Sequence, residues 1–273
     1  MTNALAFDRY CAEIIEQTRL LRGALKGARL DSRVPTCHDW TLLDLAVHLG
    51  DGHRRAAELV RTRASTSISR DQVPGRGGPA DVPEAAVAPD VYTDALNAWL
   101  SESAQLVSDE LRVAGEECAV WTMAGEHRAA FWARRRTHET LVHRLDVALA
   151  LGTSTEVPPG LAADCVDEFL ELASSTEALE RWAALRSLAG RAGETLHLHA
   201  TDTPEGVDAE WLISIGAEGF GWRRAHEKAT TALRGPVTEL LLVLLRRRAA
   251  ADSEVEVLGD EGLLDFWLEH VGF

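Results

Sequence analysis

Glu139 and His143 lie four residues apart in the stretch Thr137-His138-Glu139-Thr140-Leu141-Val142-His143-Arg144. A helix advances about 100° per residue, so side chains four apart leave it on nearly the same face. A carboxylate and an imidazole so placed can grip one metal ion. A third donor is offered upstream by His48, in an amphipathic run with its own helix-start signal. Two nitrogens and one oxygen from two helices make a three-ligand site with an open position, the arrangement of catalytic zinc. The plainer reading of Glu139 and His143 is a solvated pair worth a few tenths of a kcal/mol. The zincin motif is excluded, because it needs two histidines four apart. His138 and His143 are five apart, roughly 140° around the helix.

Other residues could support such a centre. Asp44 stands one turn before His48, and Asp146 three residues after His143. A metal-bound imidazole commonly donates its other N–H to a carboxylate, so either aspartate is a candidate outer partner. Arg134, Arg135, Arg136 and Arg144 form a basic cluster that reads either as a salt-bridged helix face or as a site for an anionic substrate or cofactor. His197 and His199 share one face of a strand, but no acidic or cysteine partner is near them in sequence, which favours an ordinary half-exposed strand. Cys37 reads as a packed cysteine, and Trp40, Trp99 and Trp132 as core. No GxSxG, Walker A or dinucleotide fingerprint is present.

The elements that must position these residues follow from periodicity and punctuation. Helices are expected over 4–26, from the Thr41-Leu42-Leu43-Asp44 start box to about Arg63, over 91–113, over 128–151 with Gly152 as the stop, and over 159–177. Residues 64–89, with three glycines and four prolines, read as a long mobile loop. After residue 190 the pattern changes. Strands are expected at 195–200, 210–215 and 254–258, and helices at 237–248 and 260–270. The fold class is therefore α plus α/β: a helical bundle over 1–180 and a smaller α+β domain over 190–273.

The 273 residues, 46% apolar and 26% charged, suit an ordinary globular protein. A net charge of −15 argues against nucleic acid and anionic membranes as partners. The four scattered cysteines form neither a disulfide framework nor a zinc knuckle. The longest apolar run, Leu240 to Leu245, is far short of the roughly 20 residues that span a bilayer. With no signal-peptide pattern at the start, a cytoplasmic location is expected.

Val34-Pro35-Thr36-Cys37-His38-Asp39-Trp40-Thr41, with Asp44-Leu45 and His48-Leu49-Gly50, resembles the N-terminal motif of the mycothiol-dependent maleylpyruvate isomerase family. Arg135-Arg136, His138-Glu139-Thr140, Val142-His143-Arg144, Asp146 and Gly152 resemble its second motif. Leu161 to Asp164 and Asp167 to Leu170 continue the likeness. So do Leu196 to Asp202, Gly235-Pro236, Leu240 to Leu242, Val255 to Val257 and Gly259-Asp260. The resemblance implies a DinB-like up-down bundle and a C-terminal domain similar to sterol-carrier-protein-2 folds. It implies metal ligands at His48, Glu139 and His143, a divalent metal such as zinc, and mycothiol as thiol cosubstrate. It also implies a substrate-binding arginine in the C-terminal domain, for which Arg223, Arg224 and Arg234 are candidates. The chain departs from the family pattern before its Gly-Pro, where it reads Thr231-Ala232-Leu233-Arg234.

The expected activity is attack of a metal-activated mycothiol thiolate on a small anionic or electrophilic metabolite. Expulsion of the thiol after bond rotation gives maleylpyruvate-type cis–trans isomerisation, and release of the adduct gives S-transfer. A non-catalytic metal- or ligand-binding module is the alternative. Hydrolysis by metal-bound water ranks last, because no general base offers itself.

Overall fold

Thr41 and Asp44 close the helix-start box that their types and spacing predict. The Thr41 hydroxyl accepts from the Asp44 backbone N–H at 3.2 Å, and the Asp44 carboxylate accepts from the Thr41 backbone N–H at 2.9 Å. This cap, worth about 0.5–2 kcal/mol, opens α2 (Leu42–Arg61). In the computed structural model, which describes residues 4–79 and 89–272, α2 joins α1 (Phe7–Leu25), α3 (Pro89–Ala114) and α4 (Ala129–Leu151) in a four-helix bundle. The closest pairs are α1 with α4 and α2 with α3. Leu21, Leu25, Leu42, Leu45, Leu49, Leu96, Leu100 and Val147 fill one end of its core. Each such burial contributes about 1.5–3 kcal/mol. Gly152 ends α4 at φ 64°, in the left-handed region where a side chain would be strained.

The described part of the stretch expected to be a mobile loop is folded onto the bundle. Ser69 and Gln72 cap a short 3-10 turn, Arg70–Gln72, and Val73 is buried. The Gly75 carbonyl accepts from Trp99 Nε1 at 2.9 Å, and the Gly77 N–H donates to Asp51 at 2.7 Å. Residues 80–88 lie outside the described residues. Residues 64–79 form the expected loop apart from that 3-10 turn, and α2 and α3 supply its tertiary partners.

The chain divides into two compact units after Thr155, and not near residue 180 as periodicity suggested. The helix expected over 159–177 is α5 (Pro159–Ala173), followed by a separate α6 (Thr176–Arg181) that Ser175 caps. Both belong to the C-terminal unit. Asp167 on α5 is buried there, where it accepts from Trp211 Nε1 at 2.7 Å and pairs with Arg224.

The C-terminal unit is built on a five-stranded mixed sheet in the order β3-β2-β1-β4-β5: β1 (Thr195–Ala200), β2 (Glu210–Gly216), β3 (Gly219–Arg224), β4 (Thr231–Gly235) and β5 (Glu256–Gly259). Only β1 and β4 run parallel. Strands β3 and β4 were not expected. Both are short and glycine-bearing, and pairing with β2 and β1 extends them. Helix α7 (Val237–Leu244) packs on α5, β1 and β4, and α8 (Glu261–His270) on β4 and the 3-10 segment Ala183–Arg191. Among the described residues, no helix is long and apolar enough to cross a membrane.

Candidate metal centre

Helix α4 projects Glu139 and His143 toward α2, and α2 projects His48 back toward them. His48 Nε2 lies 3.2 Å from Glu139 Oε1, and the His48 and His143 rings meet edge-on at 5.2 Å. One donor atom from each of His48, Glu139 and His143 falls within 4.8 Å of the others. Trp40, expected in the core, lies half-buried against the site, with its ring 4.7 Å from His48 and 6.3 Å from His143.

His143 is held from behind. Its Nδ1 donates to Asp146 Oδ2 at 2.9 Å, which leaves Nε2 as the nitrogen available to a metal. The fully buried Asp146 carboxylate also accepts from the Thr36 hydroxyl at 2.6 Å and the Cys37 thiol at 3.5 Å. Asp146 therefore sits where an outer partner belongs. Asp44 does not. Its carboxylate is committed to the Thr41 cap, and those hydrogen bonds hold it below the usual carboxylate range.

The two oxygens of Glu139 face different partners. Oε1 faces His48, while Oε2 pairs with Arg136 at 2.8 Å and lies 3.5 Å from Arg135. Burial pushes the Glu139 carboxyl up. Arg136, His48, Arg135 and His143 together outweigh that and hold it well below its ordinary value, so it is ionised at neutral pH. Arg136 is itself buried, donating to the Leu49 carbonyl at 3.1 Å and to His53 Nδ1 at 3.3 Å. The guanidinium fits because residue 52 is glycine: a Cβ there would lie 2.5 Å from one of its nitrogens.

Beside Glu139 a cleft of about 240 Å³ opens, lined by His48, Arg55, Arg70, Arg76, Trp132 and Arg136 among others. Arg55, Arg70 and Arg76 escaped the sequence reading. Arg70 and Arg76 lie on the loop after α2, where spacing gives no cue, and Arg55 shares a helix face with His48 and Gly52, a spacing that points to it. Of the expected anion-binding residues, Arg135 and Arg136 lie at the site. Arg144 does not: it is buried with its Nε donating to Gln17 on α1 at 2.8 Å. Arg234 is on β4 of the C-terminal unit, 4.0 Å from Glu256. His138 is buried on another face of α4, edge-on to Tyr10 at 6.0 Å, as the turn arithmetic required. His197 and His199, set aside for want of an acidic neighbour, do have one: Glu210 on β2.

The donor set fits a divalent metal of the zinc type. Two imidazoles and one carboxylate oxygen converge, one imidazole has its far nitrogen fixed by a carboxylate, and the other carboxylate oxygen is neutralised by arginine.

A family model described as the mycothiol maleylpyruvate isomerase N-terminal domain matches residues 11–148. Two solved structures, of the mycothiol-dependent maleylpyruvate isomerase and of a histidine-to-alanine mutant of it, each match with a TM-score of 0.55. The matches cover 94% of this chain and 95% of theirs at 14% identity, a likeness of fold. No curated protein matches the chain.

Proposed function

This chain belongs to the family of the mycothiol maleylpyruvate isomerase N-terminal domain, and from that premise we propose that it is a metal-dependent enzyme that uses the thiol of mycothiol against a small anionic electrophile. The observation that carries the reading is the convergence of His48, Glu139 and His143 beside an arginine-lined cleft. A divalent metal held by those three residues would lower the pKa of a thiol placed in its open position, from near 8.5 into the range where thiolate prevails at neutral pH.

The chain's own residues do the rest. Asp146 holds the His143 tautomer. Arg136 keeps Glu139 ionised and turns one of its oxygens away from His48. Trp40 covers His48 on one side. Arg55, Arg70 and Arg76 supply positive charge where a dicarboxylate would lie, which suits a maleylpyruvate-like substrate better than a neutral one. Burial and the charges of Arg136 and Arg70 push the Arg55 pKa down, so this is a crowded positive field that an anion relieves. Thiol addition to an activated double bond, rotation and thiol expulsion give isomerisation, and adduct release gives S-transfer.

The test is turnover by the zinc-loaded chain with mycothiol, using maleylpyruvate in one arm and an electrophilic bimane in the other. The reading expects mycothiol-dependent turnover in at least one arm, lost in His48→Ala and Glu139→Ala. Turnover unchanged by both substitutions would contradict it.

A further inference from the structure

The C-terminal unit carries a second convergence of metal-binding side chains, independent of the bundle. His197 and His199 are two apart on β1 and so project from one face of the sheet. The antiparallel register places Glu210 of β2 directly opposite His199. His226 arrives from the segment between β3 and β4. The three rings stand mutually edge-on, with centroids 5.9, 5.5 and 5.5 Å apart. One atom, Glu210 Oε2, lies 3.0 Å from His197 Nε2, 3.2 Å from His199 Nδ1 and 2.5 Å from His226 Nδ1.

An imidazole hydrogen-bonded to a carboxylate is ordinary. Three imidazoles from two chain segments focused on one oxygen exceed what a strand pair needs. One donor atom from each of the four residues also lies within 4.8 Å of every other, close enough to share one ion. With bonds of about 2.0–2.1 Å, the edges of a tetrahedral zinc site are about 3.3 Å. The His197 and His199 edges are already close to that. The His226 edge is shorter, but its side chain is 74% exposed on a connecting segment and has room to withdraw.

We propose that His197, His199, Glu210 and His226 bind a divalent transition-metal ion, with zinc as the best fit to the donor set. Four protein donors give the closed coordination of a structural site, unlike the three-donor centre of the bundle. Binding ties the segment around His226 to β1 and β2. That segment also walls an open cavity of about 490 Å³, lined by Glu227, Lys228, Ala232 and Leu258 along with His197 and His226, so the ion fixes the cavity's shape.

The experiment is zinc stoichiometry of the dialysed 273-residue chain, measured on the unmodified protein, His226→Ala, Glu210→Gln and His143→Ala. His226→Ala alters an exposed side chain and leaves the sheet core intact. It is expected to remove about one equivalent of zinc, in the unmodified and in the His143→Ala background alike. Titration of the His143→Ala chain should show zinc affinity weakened by Glu210→Gln by at least the roughly 10–100-fold that loss of an outer partner costs. If the bundle centre fails to bind, His226→Ala still takes the count from about one to zero, so the two sites fail separately. Stoichiometry unchanged by His226→Ala in both backgrounds would overturn the proposal.

Discussion

His143 and Asp146, one turn apart on α4, are joined by a 2.9 Å bond from Nδ1 to Oδ2, inside a carboxylate site that Thr36 and Cys37 complete from the loop before α2. The bond makes ring orientation a property of the fold. Asp146→Ala should therefore weaken metal binding roughly 10–100-fold, the usual cost of losing an outer partner. Asp146→Asn should weaken it less, because its amide oxygen still accepts from Nδ1. Competition with a chelating dye reads both, and equal affinities in all three proteins would show that Asp146 does not orient the ligand.

Gly52 makes the space that Arg136 needs. Gly52→Ala would place a Cβ 2.5 Å from a guanidinium nitrogen that is buried and held by Glu139, His53 and the Leu49 carbonyl. Overpacking of this kind costs about 1–3 kcal/mol. The expected result is an unfolding free energy lowered by that amount, read as a lower urea midpoint, with weaker metal binding as Glu139 loses its partner. An unshifted midpoint would mean that Arg136 is free to move aside.

His53 makes stability depend on pH. The ring is fully buried, accepts from Arg136 at Nδ1 and faces the Thr18 hydroxyl with Nε2 at 3.3 Å. Burial first, and the Arg136 charge second, hold its pKa well below 6.5. The folded protein thus keeps it neutral while the unfolded chain takes up a proton below about pH 6.5. Stability is fully present above that pH and falls as pH drops below it, by up to about 1.4 kcal/mol per unit from this group. His197, depressed for a similar reason, adds the same sign. The diagnostic is therefore the difference: urea unfolding between pH 7 and 5 should show a shallower fall for His53→Gln. Parallel curves for the two proteins would contradict the assignment.

The cleft arginines should act on substrate affinity. Arg70→Gln and Arg76→Gln leave His48, Glu139 and His143 untouched and remove charge from the cleft wall. Each is expected to raise KM for an anionic electrophile roughly tenfold, the worth of a charge-assisted hydrogen bond, with kcat nearly unchanged. Added salt should mimic them. A fall in kcat at constant KM would place these residues in the chemistry instead.

The sequence disclosed what is local. Glu139 and His143 needed only helix geometry, the Thr41–Asp44 box only its residue types, and Gly152 only its left-handed turn. Asp44 shows the limit: one carboxylate fitted both a cap and a metal partner, and only the fold decides that Thr41 takes it. Arg70 and Arg76 were hidden because Trp99 and Asp51, distant in sequence, order their segment. The Glu210 cluster was missed for a similar reason. Glu210 is eleven residues from His199 and becomes its neighbour only through the β1–β2 register, and His226 joins through β3, a strand with too little pattern to read. The boundary after Thr155 was equally invisible, because α5 has ordinary helical periodicity and its allegiance shows only in tertiary contacts, its packing on α7 and Asp167 binding Trp211 and Arg224.

The most direct test of the central claim is zinc X-ray absorption on the His226→Ala chain, in which the bundle centre supplies the signal, with and without mycothiol. The account predicts a nitrogen and oxygen shell without the thiol and one sulfur scatterer at about 2.3 Å with it, absent in His48→Ala. A shell that gains no sulfur when mycothiol saturates the protein would contradict it.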